Sequence, residues 1–327
     1  MKKQQNFAQP AVTTTYAGEF AGKYIAAALL SAKTLDNQYI TILPNVKFKS
    51  VIQSIAVDSI INDASCNFTT SGTVALTERI LEPKELQVNL ELCKQEFVDS
   101  WQALQLGYSA FDEIPKDFND FLISYVGGKV AQATEESIWR GVNATNGQFG
   151  GIYTALSSSV VAGGTNAPVT SSQSGSITSA NVLAALQNVV DAIPTTVYGK
   201  EDVMIYIPTN VVKAYQQALS GVNVTNAGAQ SALAANGFDN KMTVGPKPLN
   251  FNGIDLAHCP GLAASAVVAA QKSNLYFGTG LLSDYNEVKV LDMANIDGSQ
   301  NYRIVMRYTG GTQFGIGQDI VYYGAYA

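Results

Sequence analysis

The sequence predicts an α+β fold. Three observations predict it: two long Val/Ile-rich strands about a polar tip between residues 38 and 82, one long helix from Asp117 to Arg140, and a β-rich end from Glu287 onward. Between the helix and that end, residues 179–282 read as an α/β unit.

Residues 1–36 have no strong period. Gln, Thr and Ala dominate, and Pro10 and Gly18 break order. The stretch reads as an extended arm with a short helix near Tyr24–Ser31. Such an arm is marginal alone and is usually held by a neighbour. Beyond it, Val46 and Phe48 alternate with Lys47 and Lys49, and the run Val51–Ile61 is rich in Val and Ile. Asn62-Asp63 and the polar stretch Cys66–Gly72 lead to a second strand, Val74–Leu81. Two strands about a polar tip make a hairpin. An isolated hairpin is marginally stable in water, so this one must lie on something, and an adjacent subunit is a candidate.

After Pro83, Leu86, Val88, Leu90 and Leu92 share one face, the pattern of a half-buried strand. In the long helix, Phe118, Phe121, Leu122, Tyr125, Val126, Val130 and Ala133 form a stripe at helical spacing. Asp117 is the predicted N-cap and Gly141 the stop. The helix would run roughly 36 Å. Gly127 and Gly128 in its middle cost roughly 1 kcal/mol each against Ala, and mark either a bend or the close approach of another backbone.

Residues 141–178, punctuated by Gly147, Gly150, Gly151, Gly163 and Gly164, read as loops and a candidate domain boundary. Ser179 is read as the cap of a helix carrying Val182, Leu183, Leu186, Val189 and Val190, stopped at Pro194. Asp202–Ile207 is a strand. Pro208-Thr209 opens a helix with Val211, Val212, Tyr215 and Leu219. Residues 221–245 are rich in Gly, Asn and Ala, and short strands follow around Gly253–Ala257 and Ala266–Ala270. At the end, Glu287–Leu291 is a strand and Asp297-Gly298 a hairpin turn. Tyr302, Ile304, Met306 and Tyr308 alternate with Asn301, Arg303, Val305 and Arg307. Gly310-Gly311 is read as a turn into Phe314–Ile316, followed by Asp319–Tyr323.

The 327 residues suffice for one large or two moderate domains. Apolar residues are an ordinary 46 %, but charged residues are only 14 %, well below the usual quarter or so. So few charges defend poorly against association. Either this is a low-charge soluble domain, or its surface is covered by copies of itself. A net charge of −6 is no basic nucleic-acid footprint, and Lys2-Lys3 is too short to make one. If the protein encloses DNA, it does so without gripping it.

Cys66, Cys93 and Cys259 are odd in number and far apart, which argues against a disulfide framework and fits thiols acting as small core residues in a reducing cytosol. Met1–Pro10 is polar and lacks the apolar run of a signal peptide. The longest apolar stretches, Tyr24–Leu30 and Leu262–Ala270, fall short of the roughly 20 residues a spanning helix needs. The expectation is no export and no membrane anchor, which makes the sequons at Asn67, Asn143 and Asn223 chance matches.

No chemical constellation emerges. His258, the one histidine, stands beside Cys259 with no partner at zinc-ligand spacing. No Gly-x-Ser-x-Gly elbow accompanies it, and Walker A and Gly-x-Gly-x-x-Gly motifs are absent. Gly278-Thr-Gly280 and Gly315-Ile-Gly317 read as strand turns. Met293–Gly298 approaches a calcium loop through Asn295, Asp297 and Gly298, but Met293 holds the first ligand position and no glutamate follows at the right distance. Glu135 and Glu136 are adjacent on the helix and so do not face each other. They read as a solvated face, with Glu136 four residues before Arg140 in the favourable order. Catalytic, cofactor-binding and metal residues are therefore none. What remains is assembly.

Two stretches carry a family resemblance. One is the helix exit, Ala131-Gln-Ala-Thr-Glu-Glu-Ser-Ile-Trp-Arg-Gly141, with Gly147-Gln-Phe-Gly-Gly-Ile152. The other is Asn274-Leu-Tyr-Phe-Gly-Thr279, Leu282-Ser-Asp284, Glu287-Val-Lys-Val-Leu-Asp292 and Arg303–Gln318. With the order of arm, hairpin, long helix, Gly-rich turn, α/β domain and returning strands, the chain resembles the major capsid proteins of tailed bacteriophages, the Hong Kong 97-type fold.

The resemblance implies an N-terminal arm (1–36), an extended hairpin loop overlapping a neighbour (37–84), a peripheral domain with the spine helix (85–178 and 283–316), and an axial domain meeting at the vertices (179–282 and 317–327). It implies no enzyme and no cofactor. It implies a virion shell of pentamers and hexamers, assembled in the host cytoplasm around double-stranded DNA that it does not read, with scaffold, portal and decoration proteins as partners. Some members carry a long N-terminal scaffolding segment. Here the arm begins almost at Met1, so scaffolding is expected from a separate protein or a removed piece. Some members cross-link a loop lysine to an asparagine, but Lys47 and Lys49 lie near the loop base, so that chemistry is not carried over. An encapsulin-like compartment holding a cargo enzyme shares the fold and is the alternative. An enzyme with an unrecognised site and a surface adhesin are the more distant ones.

Overall fold

The computed structural model describes residues 33–46, 48–57, 61, 63, 66, 72, 74–93, 116–164, 166–171, 175–220, 249–280, 289–293, 298–299 and 301–324. In chain order the elements are α1 (Lys33–Asp36), β1 (Thr41–Leu43), β2 (Ser50–Val57), β3 (Val74–Leu81), β4 (Lys84–Cys93), α2 (Lys116–Arg140) and α3 (Ile152–Ala162). Next come β5 (Val169–Thr170), α4 (Val182–Asp191), β6 (Val203–Ile207), α5 (Thr209–Ser220), β7 (Leu249–Phe251), β8 (Ile254–His258) and β9 (Val267–Gln271). The chain closes with β10 (Leu275–Gly278), β11 (Lys289–Asp292), β12 (Asn301–Phe314) and β13 (Val321–Tyr323). The chain divides into two compact units: Met1–Ala28, Asn89–Tyr125 and Val288–Val305 in one, and Leu29–Val88, Val126–Glu287 and Met306–Ala327 in the other.

The larger unit is built on a six-stranded mixed sheet in the order β5-β13-β9-β6-β8-β7. On one face α4 and α5 lay down Val182, Leu186, Val189, Val211 and Tyr215 against Val203, Ile205, Ile207, Val267 and Val321. On the other face Tyr206 meets Trp139 of α2 with ring centroids 5.2 Å apart, and Tyr322 stacks on Tyr153 of α3 at 4.9 Å. Strands covered on both faces read as continuous apolar runs rather than alternations, which is why Val203–Ile207 and Val267–Gln271 do. Within the same unit β1 runs parallel to β10, and β10 runs antiparallel to the second half of β12, from Leu275↔Phe314 to Gly278↔Gly311.

In the smaller unit β11 pairs antiparallel with the first half of β12, from Lys289↔Val305 to Asp292↔Tyr302. Gly298, in the connection, has φ +74°. Glu91 of β4 accepts a 2.6 Å hydrogen bond from Asn301 Nδ2 and lies 3.6 Å from Arg303 Nε.

Several expectations are corrected. The segment 141–178 is not all loop: it contains α3 and β5, and the run Ser157-Ser158-Ser159 hid the helical period that buries Ile152 and Leu156. Gly310-Gly311 is not a turn but lies inside β12. A Cβ on Gly311 would stand 2.9 Å from Glu82 O and from Pro83 Cα, so it is the chain leaving β3 that requires the glycine. Ser179 does not cap α4, whose N-cap is Asn181. Asn181 instead closes the preceding turn, accepting from Thr178 N at 2.7 Å and donating to Ser176 O at 3.0 Å. Leu183 is exposed, and Ala185 takes its place on the buried face.

The stripe of α2 also differs. Val126 and Val130 are buried as expected, but it continues through Thr134, Glu135, Ser137, Ile138 and Trp139, while Tyr125 and Ala133 face outward. A Cβ on Gly127 would touch nothing within 4 Å, so no backbone approaches there among the described residues. The predicted helix at Tyr24–Ser31, residues 221–245, and Asn295 and Asp297 lie outside the described residues.

Gly311→Ala should destabilise the folded chain by about 1–3 kcal/mol, the usual range for overpacking a filled site. A urea midpoint equal to that of the unsubstituted chain would rule out the close approach.

Candidate assembly surface

The largest unpartnered apolar feature among the described residues is the β2–β3 hairpin. β-branched and aliphatic residues at alternating positions drive both strands, and the register runs from Ser50↔Leu81 to Val57↔Val74. Paired residues share a face. One face therefore carries, in order, Val51–Ile80, Gln53–Glu78 and Ile55–Leu76, with Val57–Val74 next in register. The side chains of Val51, Ile80, Ile55 and Leu76 are 51, 53, 66 and 62 % exposed. Gln53 Nε2 donates to Glu78 Oε1 at 2.9 Å, which satisfies the polar middle rung. Phe48 and Ile61 are also exposed, at 83 and 90 %.

The opposite face holds Ile52, Arg79, Ser54 and Thr77, the last two hydrogen-bonded to each other. Behind it lies an open recess of about 230 Å³ bordered by Ile52, Ser54, Asn274, Tyr276, Gly315 and Ile316. Ordered donors and acceptors line its wall. Asn274 donates to Ile316 O at 2.7 Å and accepts from Ile316 N at 2.8 Å.

The root of the hairpin is fastened by five contacts. Leu81 is fully buried and faces Gly278, where a Cβ would come within 2.6 Å of Leu81 Cδ2. The Arg79 guanidinium lies 3.8 Å from the centre of the Phe314 ring, a cation–π geometry, and donates to Asn166 O at 3.4 Å. Gln313 Nε2 donates to Ile80 O at 2.9 Å. Lys49 and Glu82 pair at 3.2 Å, both exposed, a contact that adds little. Just beyond, Lys84 Nζ donates to the carbonyls of Asn143, Thr145 and Gln148 at 2.8–3.2 Å and so fixes the turn that follows α2.

The residues weighed for chemistry are scattered. His258 Nε2 lies 2.9 Å from Thr209 Oγ1, and burial together with nearby Lys33 pushes its pKa down. Cys259 is fully buried, which pushes its thiol well up, while Cys66 is exposed and Cys93 half-buried. Met293 is buried. Among the described residues no three His, Cys, Asp or Glu side chains gather where they could hold a metal ion, and no helix is long and apolar enough to cross a membrane. Lys47, Asn67 and Asn223 lie outside the described residues, and Asn143 is exposed.

Glu136 pairs with Arg140 at 4.0 Å, as its spacing predicts. Glu135 overturns the solvated-face reading: it is fully buried. Thr34 N–H and Oγ1–H donate to its two carboxylate oxygens at 3.0 and 2.6 Å, and Trp139 Nε1 donates to Thr34 Oγ1 at 2.9 Å. A signal was present in the sequence, since Ile138 and Trp139, three and four residues on, place Glu135 on an apolar face.

No family model matches the sequence, and no curated protein matches it. Solved structures do. The capsid of the native GTA particle, computed with C5 symmetry, superposes with a TM-score of 0.62 at 14 % identity, over 98 % of this chain and 99 % of that one. A chain of Mycobacterium phage Cain gives 0.57 at 13 % identity over 97 % of both. The capsid structure of the cyanophage P-SCSP1u gives 0.52 at 11 % over 99 and 94 %. From end to end, the chain has the α+β architecture of the Hong Kong 97-type capsid fold.

Proposed function

We propose that the chain is a major capsid protein, a structural and non-catalytic subunit that self-assembles into the icosahedral head shell enclosing a phage double-stranded DNA genome. The observation that carries this reading is the hairpin's outer face: four exposed aliphatic side chains on a rigidly rooted strand pair, within a fold shared with particle capsids. Full burial of such a side chain is worth about 1.5–3 kcal/mol, and half of each is still exposed. Covering the ladder with a second copy thus yields on the order of 4 kcal/mol per contact, and a shell repeats that contact over every subunit.

In this reading residues 1–36 are an arm and 37–84 overlap a neighbouring subunit. Residues 85–178 and 283–316 form the peripheral domain, and 179–282 with 317–327 the axial domain at the vertices of pentamers and hexamers. Scaffold, portal and decoration proteins complete the assembly in the host cytoplasm. The acidic net charge fits DNA that is enclosed rather than bound. The likeness to particle and phage structures favours the viral shell over a cellular compartment.

The double variant Ile55→Lys/Leu76→Lys alters only exposed positions and should keep the circular dichroism spectrum of the parent while failing to form shells, seen as a small sedimenting species and empty negative-stain fields. Normal particles from this variant would sink the reading. Arg79→Met keeps the aliphatic stem but loses the ring contact. It should lower stability by about 1 kcal/mol and speed proteolysis within the hairpin. Unchanged cleavage there would show that Arg79 does not hold the root.

A further inference from the structure

We propose that the Glu135 carboxyl is a proton-operated clasp: protonated, it fastens α1 to the end of α2, and ionised, it lets α1 go. The geometry is a covered carboxyl. Glu135 sits in the last turns of α2 with no exposed surface, and Thr34 of α1 covers it while donating through both its N–H and its hydroxyl. The third donor is the backbone of Gly261, on a turn held against α2 by Arg140 Nε donating to Gly261 O at 2.9 Å. A Cβ on Gly261 would lie 2.1 Å from Glu135 O, so that wall packs directly on the helix backbone. Among the described residues, α1 is the element that covers the carboxyl oxygens and donates to both of them.

Among the described residues, the charge that acts on Glu135 is the like charge of Asp36, on α1 itself. The remaining titratable neighbours are accounted for. On α1, Lys33 acts on His258. On α2, Glu136 and Arg140 pair with each other. After β8 comes Cys259, which is buried and hydrogen-bonded with Thr34. Behind Cys259 lie Tyr206 and Tyr39, the hydroxyl of Tyr206 donating to Tyr39 O at 2.7 Å.

Full burial disfavours the carboxylate, and the three donors offset that only in part. In the protonated form the acid O–H donates to Thr34 Oγ1, which already accepts from Trp139, and the Thr34 hydrogen turns to the Cys259 sulfur. Burial, foremost, and Asp36 raise the pKa of docked Glu135, against the pull of the Thr34 and Gly261 hydrogen bonds. Once α1 has lifted, the carboxyl returns to its ordinary range. The docked form therefore holds the proton more tightly. Docking is at full strength below the ordinary carboxylate range and weakens as pH rises toward the docked pKa. All the groups involved lie within one chain, so the clasp acts whether or not shells form.

The test uses the full chain carrying Trp101→Phe, which leaves Trp139 as the sole tryptophan. Its emission and the rate of tryptic cleavage after Lys33, divided at each pH by the rate on an unstructured lysine peptide, are followed from about pH 4 to about pH 9. The proposal requires cleavage to accelerate by up to about tenfold per pH unit from the ordinary carboxylate range, to level off above the docked pKa, and to be accompanied by a shift in Trp139 emission. Glu135→Gln should flatten both curves. Asp36→Asn, at an exposed position, should bring the plateau to lower pH with a smaller total change, and this keeps the test alive if Glu135→Gln does not fold. A flat parent curve, a Glu135→Gln curve that still rises, or an Asp36→Asn plateau that does not move would each overturn the clasp.

Discussion

In the larger unit, the C-terminal end of α2 meets three separate parts of the chain, and it does so through polar groups inside an apolar setting. Glu135 takes hydrogen bonds from α1, Trp139 spans from Thr34 to the ring of Tyr206 in the central sheet, and Arg140 holds the turn at Gly261. A buried carboxyl without a counter-ion is a liability unless its donors are in place. Packing and polar satisfaction are therefore one problem here: a shift of the helix by a single residue would orphan the carboxyl, the indole N–H and the backbone of Gly261 together. This joint constraint fixes the helix against the six-stranded sheet more tightly than interchangeable apolar contacts would.

The hairpin is organised the other way round. Its energy in the isolated chain is concentrated at the root, where Leu81 fits against Gly278 and Arg79 lies over Phe314. The strands beyond offer apolar surface that no described residue covers. A rigid base with an uncovered face loses little conformational freedom on binding, since the strand pair is already ordered.

What was legible in the sequence follows from locality. The hairpin, the long helix, the α/β segment and the alternation at Tyr302–Tyr308 are written in neighbouring residues. Features that depend on distant partners were not. Glu135 is buried because of Thr34, 101 positions away. Gly311 sits in a strand because the chain at Glu82 and Pro83 passes over it. Arg79 reads as one more charged residue of a strand until Phe314 and Asn166 come beneath it. The serines of α3 mask its period because Ser158 bonds back to Thr154 O and adds no apolar signal. The outer face of the hairpin was half visible: alternation revealed two faces, but which one would be left uncovered depended on the root.

The polar rung between two apolar rungs makes the hairpin a ruler. Val51 and Ile55 are four residues apart, so the apolar rungs stand about 13 Å from each other, with Glu78 midway. A surface that receives this face must place its own apolar patches at that interval and leave the middle wet or hydrogen-bonded. Displacing the partner by one rung would press an aliphatic patch onto Glu78 and leave an apolar rung in water, a mismatch of several kcal/mol. The ladder thereby measures position along its own axis as well as adhering. Repeated over many copies, such a measure would keep small errors of placement from accumulating around a closed surface.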